Sequence, residues 1–143
     1  WLAKAMPDVH ADVRRLVQEK IDEVVVRLGD NFPEQIRAVL QDTLLGGHAD
    51  LSHIAELFGL HPRTFRRRLA AAGVSYQNIL DEVRYDIARG LLSNSALGIS
   101  EIALTLQYSE TRSFIRAFRR WSGQTPARWR EAVRKRPHRA GLS

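Results

Sequence analysis

The stretch Leu51-Ser52-His53-Ile54-Ala55-Glu56-Leu57-Phe58-Gly59-Leu60 returns 48 residues later as Ile99-Ser100-Glu101-Ile102-Ala103-Leu104-Thr105-Leu106-Gln107-Tyr108. After small shifts Phe65 and Leu69 match Phe114 and Phe118, and Gly73-Val74-Ser75 matches Gly123-Gln124-Thr125. Each copy reads as a short apolar helix, a tight turn and a second helix carrying arginines. Ala55 and Ala103 are small where two helices would cross closely. Such a pair at a steep angle is a helix-turn-helix, whose second helix is shaped to enter a DNA major groove. One match would be weak; two in register are much stronger. The departure is Gln107 where the first copy has Gly59. Either the second turn carries a non-glycine residue at positive φ, at roughly 1–2 kcal/mol, or its geometry differs.

Outward from the repeat, helical periodicity covers nearly the whole chain, and no convincing alternating strand is found. Val9, Val13, Leu16, Val17, Ile21, Val24 and Leu28 predict a first helix closing at Gly29. Val17, Ile21, Val24 and Leu28 are either a short dimer seam or the face of an ordinary amphipathic helix packing on its own chain; the spacing does not separate the two. A second helix is predicted from Pro33 to Gly46-Gly47. Asp50 or Leu51 opens the next, which ends near Phe58, with Gly59 able to take positive φ. His61-Pro62 starts a helix over about Arg63 to Ala72, ended by Gly73, with His61 in a weak capping role. Ser75 is predicted to cap a long helix to about Ser93, Ser100 a short one to Leu106, and Glu110 to Trp121 forms the next. Thr125-Pro126 opens a last helix to about Lys135, and the tail from Arg136 is expected to fray.

The charge is unevenly placed. Residues 1–50 hold 6 Lys and Arg against 9 Asp and Glu, whereas residues 51–143 hold 16 against 7, so the net +6 of the chain lies wholly in the repeat half. Of the 22 basic residues 19 are arginine. Arginine suits bidentate contact to phosphate or guanine, although a G+C-rich genome accounts for most of the preference over lysine. The gathering of positive charge in one half implies a polyanionic partner. With 143 residues, 44% of them hydrophobic, the chain can bury a core. There is no cysteine, which removes disulfides, zinc ribbons and a thiol nucleophile. No apolar run approaches the ~20 residues of a membrane span, and no signal-peptide pattern is seen, so a soluble, cytoplasmic protein is expected. A start at Trp1 rather than Met reads as a piece of something longer.

The residues Ile102-Ala103, Tyr108-Ser109, Ser113-Phe114, Arg116-Ala117-Phe118-Arg119-Arg120, Gly123, Thr125-Pro126 and Trp129-Arg130 closely resemble the AraC/XylS family of bacterial transcription regulators. The first copy and Arg84, Ala88 and Leu91-Leu92 fit the same family, over about residues 33–136. Gln107 departs from the glycine usual there. The resemblance implies an all-α fold with two homeodomain-like helix-turn-helix subdomains joined by a long connecting helix. The divisions expected are 1–32, the end of an effector or dimerisation region or a linker helix; 33–74, the first subdomain; 75–95, the connecting helix; 96–137, the second subdomain; and 138–143, a disordered tail. In this arrangement the connecting helix holds both recognition helices to one face of a duplex, and one chain reads a bipartite promoter site. Base-facing residues carried over by position are Arg63, Arg66 and Arg67 in the first copy, and Thr111, Arg112, Ser113 and Arg116 in the second, with Ile115 against a thymine methyl. Arg119, Arg120, Arg128 and the free amides opening each recognition helix are expected to hold phosphates. A homodimer through residues 1–45 and contact with RNA polymerase are the other partners considered; no membrane and no cofactor are expected.

Successive helical residues turn by about 100°, so Arg66, Arg67 and Arg68 cannot all face one groove. Arg63 and Arg67 are the first choices, and Arg68 is expected beside the core. Phe65, Leu69, Phe114 and Phe118 read as core, and Trp121 and Trp129 as packing for the last helix. The five histidines, His48 and His53 beside Glu56 included, lack metal-ligand spacing. No nucleophile elbow or phosphate-gripping glycine loop is present, and Asp81-Glu82 reads as a solvated pair, so no enzyme is expected. The alternative reading is a helical interaction module that dimerises through residues 1–45 and binds polyanions without sequence preference.

Overall fold

The computed structural model describes residues 9–47 and 49–135, and among them there are helices and turns but no strand. The helices are α1 (Val9–Leu28), α2 (Phe32–Thr43), α3 (Leu51–Leu57), α4 (Pro62–Ala71), α5 (Tyr76–Asn94), α6 (Ile99–Thr105), α7 (Thr111–Ser122) and α8 (Pro126–Lys135), with a 3-10 turn at Leu44–Gly46. His48 and the tail after Lys135, including the expected frayed end, lie outside the described residues. The chain divides into two compact units, Trp1–Leu80 and Asp81–Ser143, and the division falls inside α5.

In the first unit α1 packs along α2, with Ile21 and Val24 of α1 and Ile36, Val39 and Leu40 of α2 all buried. Of the two readings of the Val17–Leu28 seam, the structure therefore takes the intrachain one. Asn31 caps α2 by accepting a hydrogen bond from the Glu34 N–H at 3.3 Å, which starts α2 one residue earlier than Pro33 suggests. Gln35, the one buried polar side chain among the described residues, donates to the Gly29 carbonyl and ties α2 to the end of α1. Asp50 caps α3 by accepting from the His53 N–H at 3.2 Å. Rings from three elements then meet: Phe32 lies 5.7 Å from Phe58 and 5.5 Å from Phe65, and Phe65 lies 5.8 Å from Tyr76. Edge-on aromatic packing of this kind adds to the area buried.

The second unit is built on the C-terminal part of α5. Val83, Ala88 and Leu92 are buried with Ile102, Ala103, Leu106, Phe114 and Phe118. Trp129 of α8 stands edge-on to Phe118 at 5.8 Å, and Trp121 lies 5.6 Å from Tyr85 of α5. Trp129 thus packs the last helix as expected, whereas the Trp121 ring contact is with α5. Ser75 accepts from the Asn78 N–H at 3.1 Å and Thr125 from the Arg128 N–H at 3.3 Å, both as capping residues. Ser100 does not cap α6. Gly98 occupies the cap position, and Glu101 reaches back to accept its N–H at 2.9 Å. A carboxylate in the third helical position can satisfy the cap amide whatever the cap residue is.

Candidate nucleic-acid interface

The two helix-turn-helix pairs are α3–α4 in the first unit and α6–α7 in the second. Their turns share the same hydrogen bonds. Leu60 N–H donates to Ala55 O at 2.9 Å and Gly59 N–H to Glu56 O at 2.9 Å; Tyr108 N–H donates to Ala103 O and Gln107 N–H to Leu104 O, both at 3.0 Å. Gly59 has φ +68° and Gln107 φ +70°, and Gln107 is the one non-glycine residue at positive φ among the described residues. The second turn therefore keeps the geometry of the first and carries the strain. A Cβ placed on Gly59 would meet nothing within 4 Å, so its φ alone explains the glycine.

The turns aim α4 and α7. On α4, Phe65 and Leu69 are buried, and at about 100° per residue Arg63 and Arg67 fall on the opposite side. Arg66 stands on one flank, where it lines a groove with Asp50, Ala70 and Ser75. Arg68 stands on the other flank, its guanidinium 4.1 Å above the Phe32 ring, as expected of a side chain beside the core. All four arginines are exposed. On α7, Phe114, Ala117 and Phe118 are buried; Arg112, Arg116 and Arg119 line up on the opposite side, with Arg120 to their flank. Thr111, Ser113 and Ile115 are half-buried. Arg128 is exposed in the first turn of α8. Neither α4 nor α7 contains an acidic residue.

Two details change the expected electrostatics at the helix starts. Pro62 has no N–H, and the Arg63 N–H already donates to His61 Nδ1 at 3.1 Å, so α4 offers fewer amides to a phosphate than its position suggests. At α7 the Glu110 carboxylate lies 3.7 Å from Arg112, both exposed, and the Ser113 N–H donates to Glu110 O at 3.2 Å. Sequence reasoning also missed a set of arginines that hold backbone. Arg130 donates to the carbonyls of Leu92 at 3.0 Å and Leu91 at 3.3 Å, and Arg134 to that of Ser95 at 2.6 Å. Cations there satisfy the last carbonyls of α5 and oppose its negative end. Arg84 does the same for the second turn, donating to Leu106 O at 2.9 Å and Gln107 O at 3.3 Å. Burial raises the neighbouring Tyr108 phenol above its ordinary value, with the Arg84 charge pulling the other way. Among the described residues no group of His, Cys, Asp and Glu could hold a metal ion, and no helix is long and apolar enough to cross a membrane.

A family model described as a helix-turn-helix domain, of the AraC type, matches residues 54–132. The chain is 35% identical over 132 residues to the HTH-type transcriptional regulator VqsM of Pseudomonas aeruginosa, covering 92% of this chain and 40% of that protein. Among solved structures it resembles the transcriptional regulator CdpR from Pseudomonas aeruginosa, with a TM-score of 0.68 and 38% identity over 78% of this chain and 35% of that one. It also resembles the DNA-binding domain of AdpA, a global transcriptional factor solved with a target DNA, with a TM-score of 0.63 and 27% identity over 74% of this chain and 96% of that one. The chain belongs to the AraC-type helix-turn-helix family. It spans 40% of the length of VqsM.

Proposed function

We propose that this chain is the DNA-reading part of a transcription regulator, and that α4 and α7 each enter a major-groove segment of a bipartite promoter site. One observation carries this reading above the others: two turns of the same geometry present two helices whose arginines lie opposite their buried faces. Arg63, Arg66 and Arg67 face bases in one block, and Thr111, Arg112, Ser113 and Arg116 in the other, with Ile115 against a thymine methyl. Arg119, Arg120 and Arg128 hold phosphates and set register. The work is binding, without catalysis, in the cytoplasm. The test is selection of bound duplexes from a random pool at near-physiological salt. Two short enriched blocks support the reading; an unenriched pool overturns it and leaves a polyanion binder without sequence preference.

In the same reading residues 1–45 form a homodimer, and RNA polymerase is a further partner. Val13, 47% exposed, and Leu16, 63% exposed, stand on α1 outside its own core and favour the dimer. Light scattering of the 143-residue chain is expected to give twice the monomer mass, and Leu16→Glu to halve it. A monomer at high concentration would refute this dimer.

A further inference from the structure

We propose that Arg84, on the connecting helix α5, is a positioning residue for the second recognition helix, an inference that rests on α7 reading bases. Its two hydrogen bonds reach the carbonyls of Leu106 and Gln107, in the peptides just before and just after the left-handed residue Gln107. The same guanidinium lies 4.3 Å above the Tyr108 ring. Tyr108 in turn packs against Phe114 of α7 with ring centroids 5.7 Å apart. A single side chain of α5 therefore engages three consecutive residues of the turn, the last of which touches the buried anchor of α7.

The second turn needs such a clamp because of Gln107. In the first unit Gly59 takes the same φ without a Cβ to crowd the backbone. At Gln107 the backbone pulls toward negative φ, which would swing the start of α7, and with it Thr111, Arg112 and Ser113. The Leu106 and Gln107 carbonyls of the turn carry partial negative charge, and a planar cationic fork satisfies both at once. Ile102, Leu106, Phe114 and Phe118 are fully buried in the core of the second unit, so removing the fork is expected to change the aim of α7 rather than the presence of that core.

The experiment repeats the random-duplex selection with the native chain, Arg84→Ala, Arg84→Lys, Gln107→Gly and the double variant Arg84→Ala/Gln107→Gly. The native chain is expected to recover two blocks. Arg84→Ala should weaken by about tenfold only the block that Arg116→Ala also loses. Gln107→Gly alone should change little, and in the double variant it should restore the weakened block, because glycine holds the turn unaided. Arg84→Lys keeps the charge without the fork and should fall between. Unchanged selection by Arg84→Ala, equal weakening of both blocks, or a double variant no better than Arg84→Ala would each overturn the role. If the native chain recovers no block, the DNA reading itself fails. Thermal melts of the native, two single-variant and double-variant chains then decide the clamp: a smaller loss from Arg84→Ala in the Gln107→Gly background than in the native one supports it, and an equal or larger loss removes it.

Discussion

Phe118→Ala is expected to cost the second unit about 3–5 kcal/mol, a large part of the ~5–15 kcal/mol that holds an ordinary domain together. Phe118 is fully buried and lies between rings from three helices: Tyr85 of α5 at 5.6 Å, Phe114 of α7 at 5.9 Å and Trp129 of α8 at 5.8 Å. Those rings are fixed to separate helices, so they cannot all move in to fill the space, and the cavity term stays large. Hydrogen exchange should lose protection across α6, α7 and α8, while the aromatic cluster of Phe32, Phe65 and Tyr76 keeps α2 to α4 protected. Leu104→Ala is the matched control: Leu104 is 69% exposed on α6, and its removal should stay within about 0.5 kcal/mol. Equal melting temperatures for the two variants would mean that Phe118 is not the centre of its core.

What could be read in the sequence was whatever the helix-turn-helix turn imposes locally. A steep crossing needs a small residue, hence Ala55 and Ala103; a left-handed turn needs a glycine or a strained substitute, hence Gly59 and Gln107; the buried side of each second helix needs Phe65 with Leu69 and Phe114 with Phe118. Local caps were legible for the same reason, since Asp50, Ser75 and Thr125 each bond an amide three residues away. Arg84 and Arg130 were recognisable as residues but not as clamps, because their partners are carbonyls 22 and 38 residues distant and a carbonyl has no sequence signature. The side of α1 that meets its own chain depends on what α2 brings across from it, so spacing alone left Ile21 and Val24 with two readings. At the start of α4 the competition is between neighbours: His61 takes the Arg63 amide that a phosphate would otherwise use.

Arg67→Ala and Arg116→Ala are expected to relax base preference in different blocks of the selected site, each by about 10–100-fold, the worth of one arginine fork on guanine at ~1–3 kcal/mol. Both side chains are exposed and stand opposite the buried faces of α4 and α7. Arg112 differs, because its pairing with Glu110 must be exchanged for any contact to a base, so Arg112→Ala should cost less than Arg116→Ala. Arg128→Ala provides the contrast: a phosphate contact should weaken every duplex about equally and lower the salt dependence of binding by about one counterion. Competition between the selected duplex and versions altered in one block separates the cases. Loss confined to one block marks a base contact, and loss of the same size on all duplexes marks a phosphate contact. If Arg67→Ala and Arg116→Ala disturbed the same block, the assignment of one block to each unit would fall, because α4 and α7 belong to separate units, each aimed by its own turn.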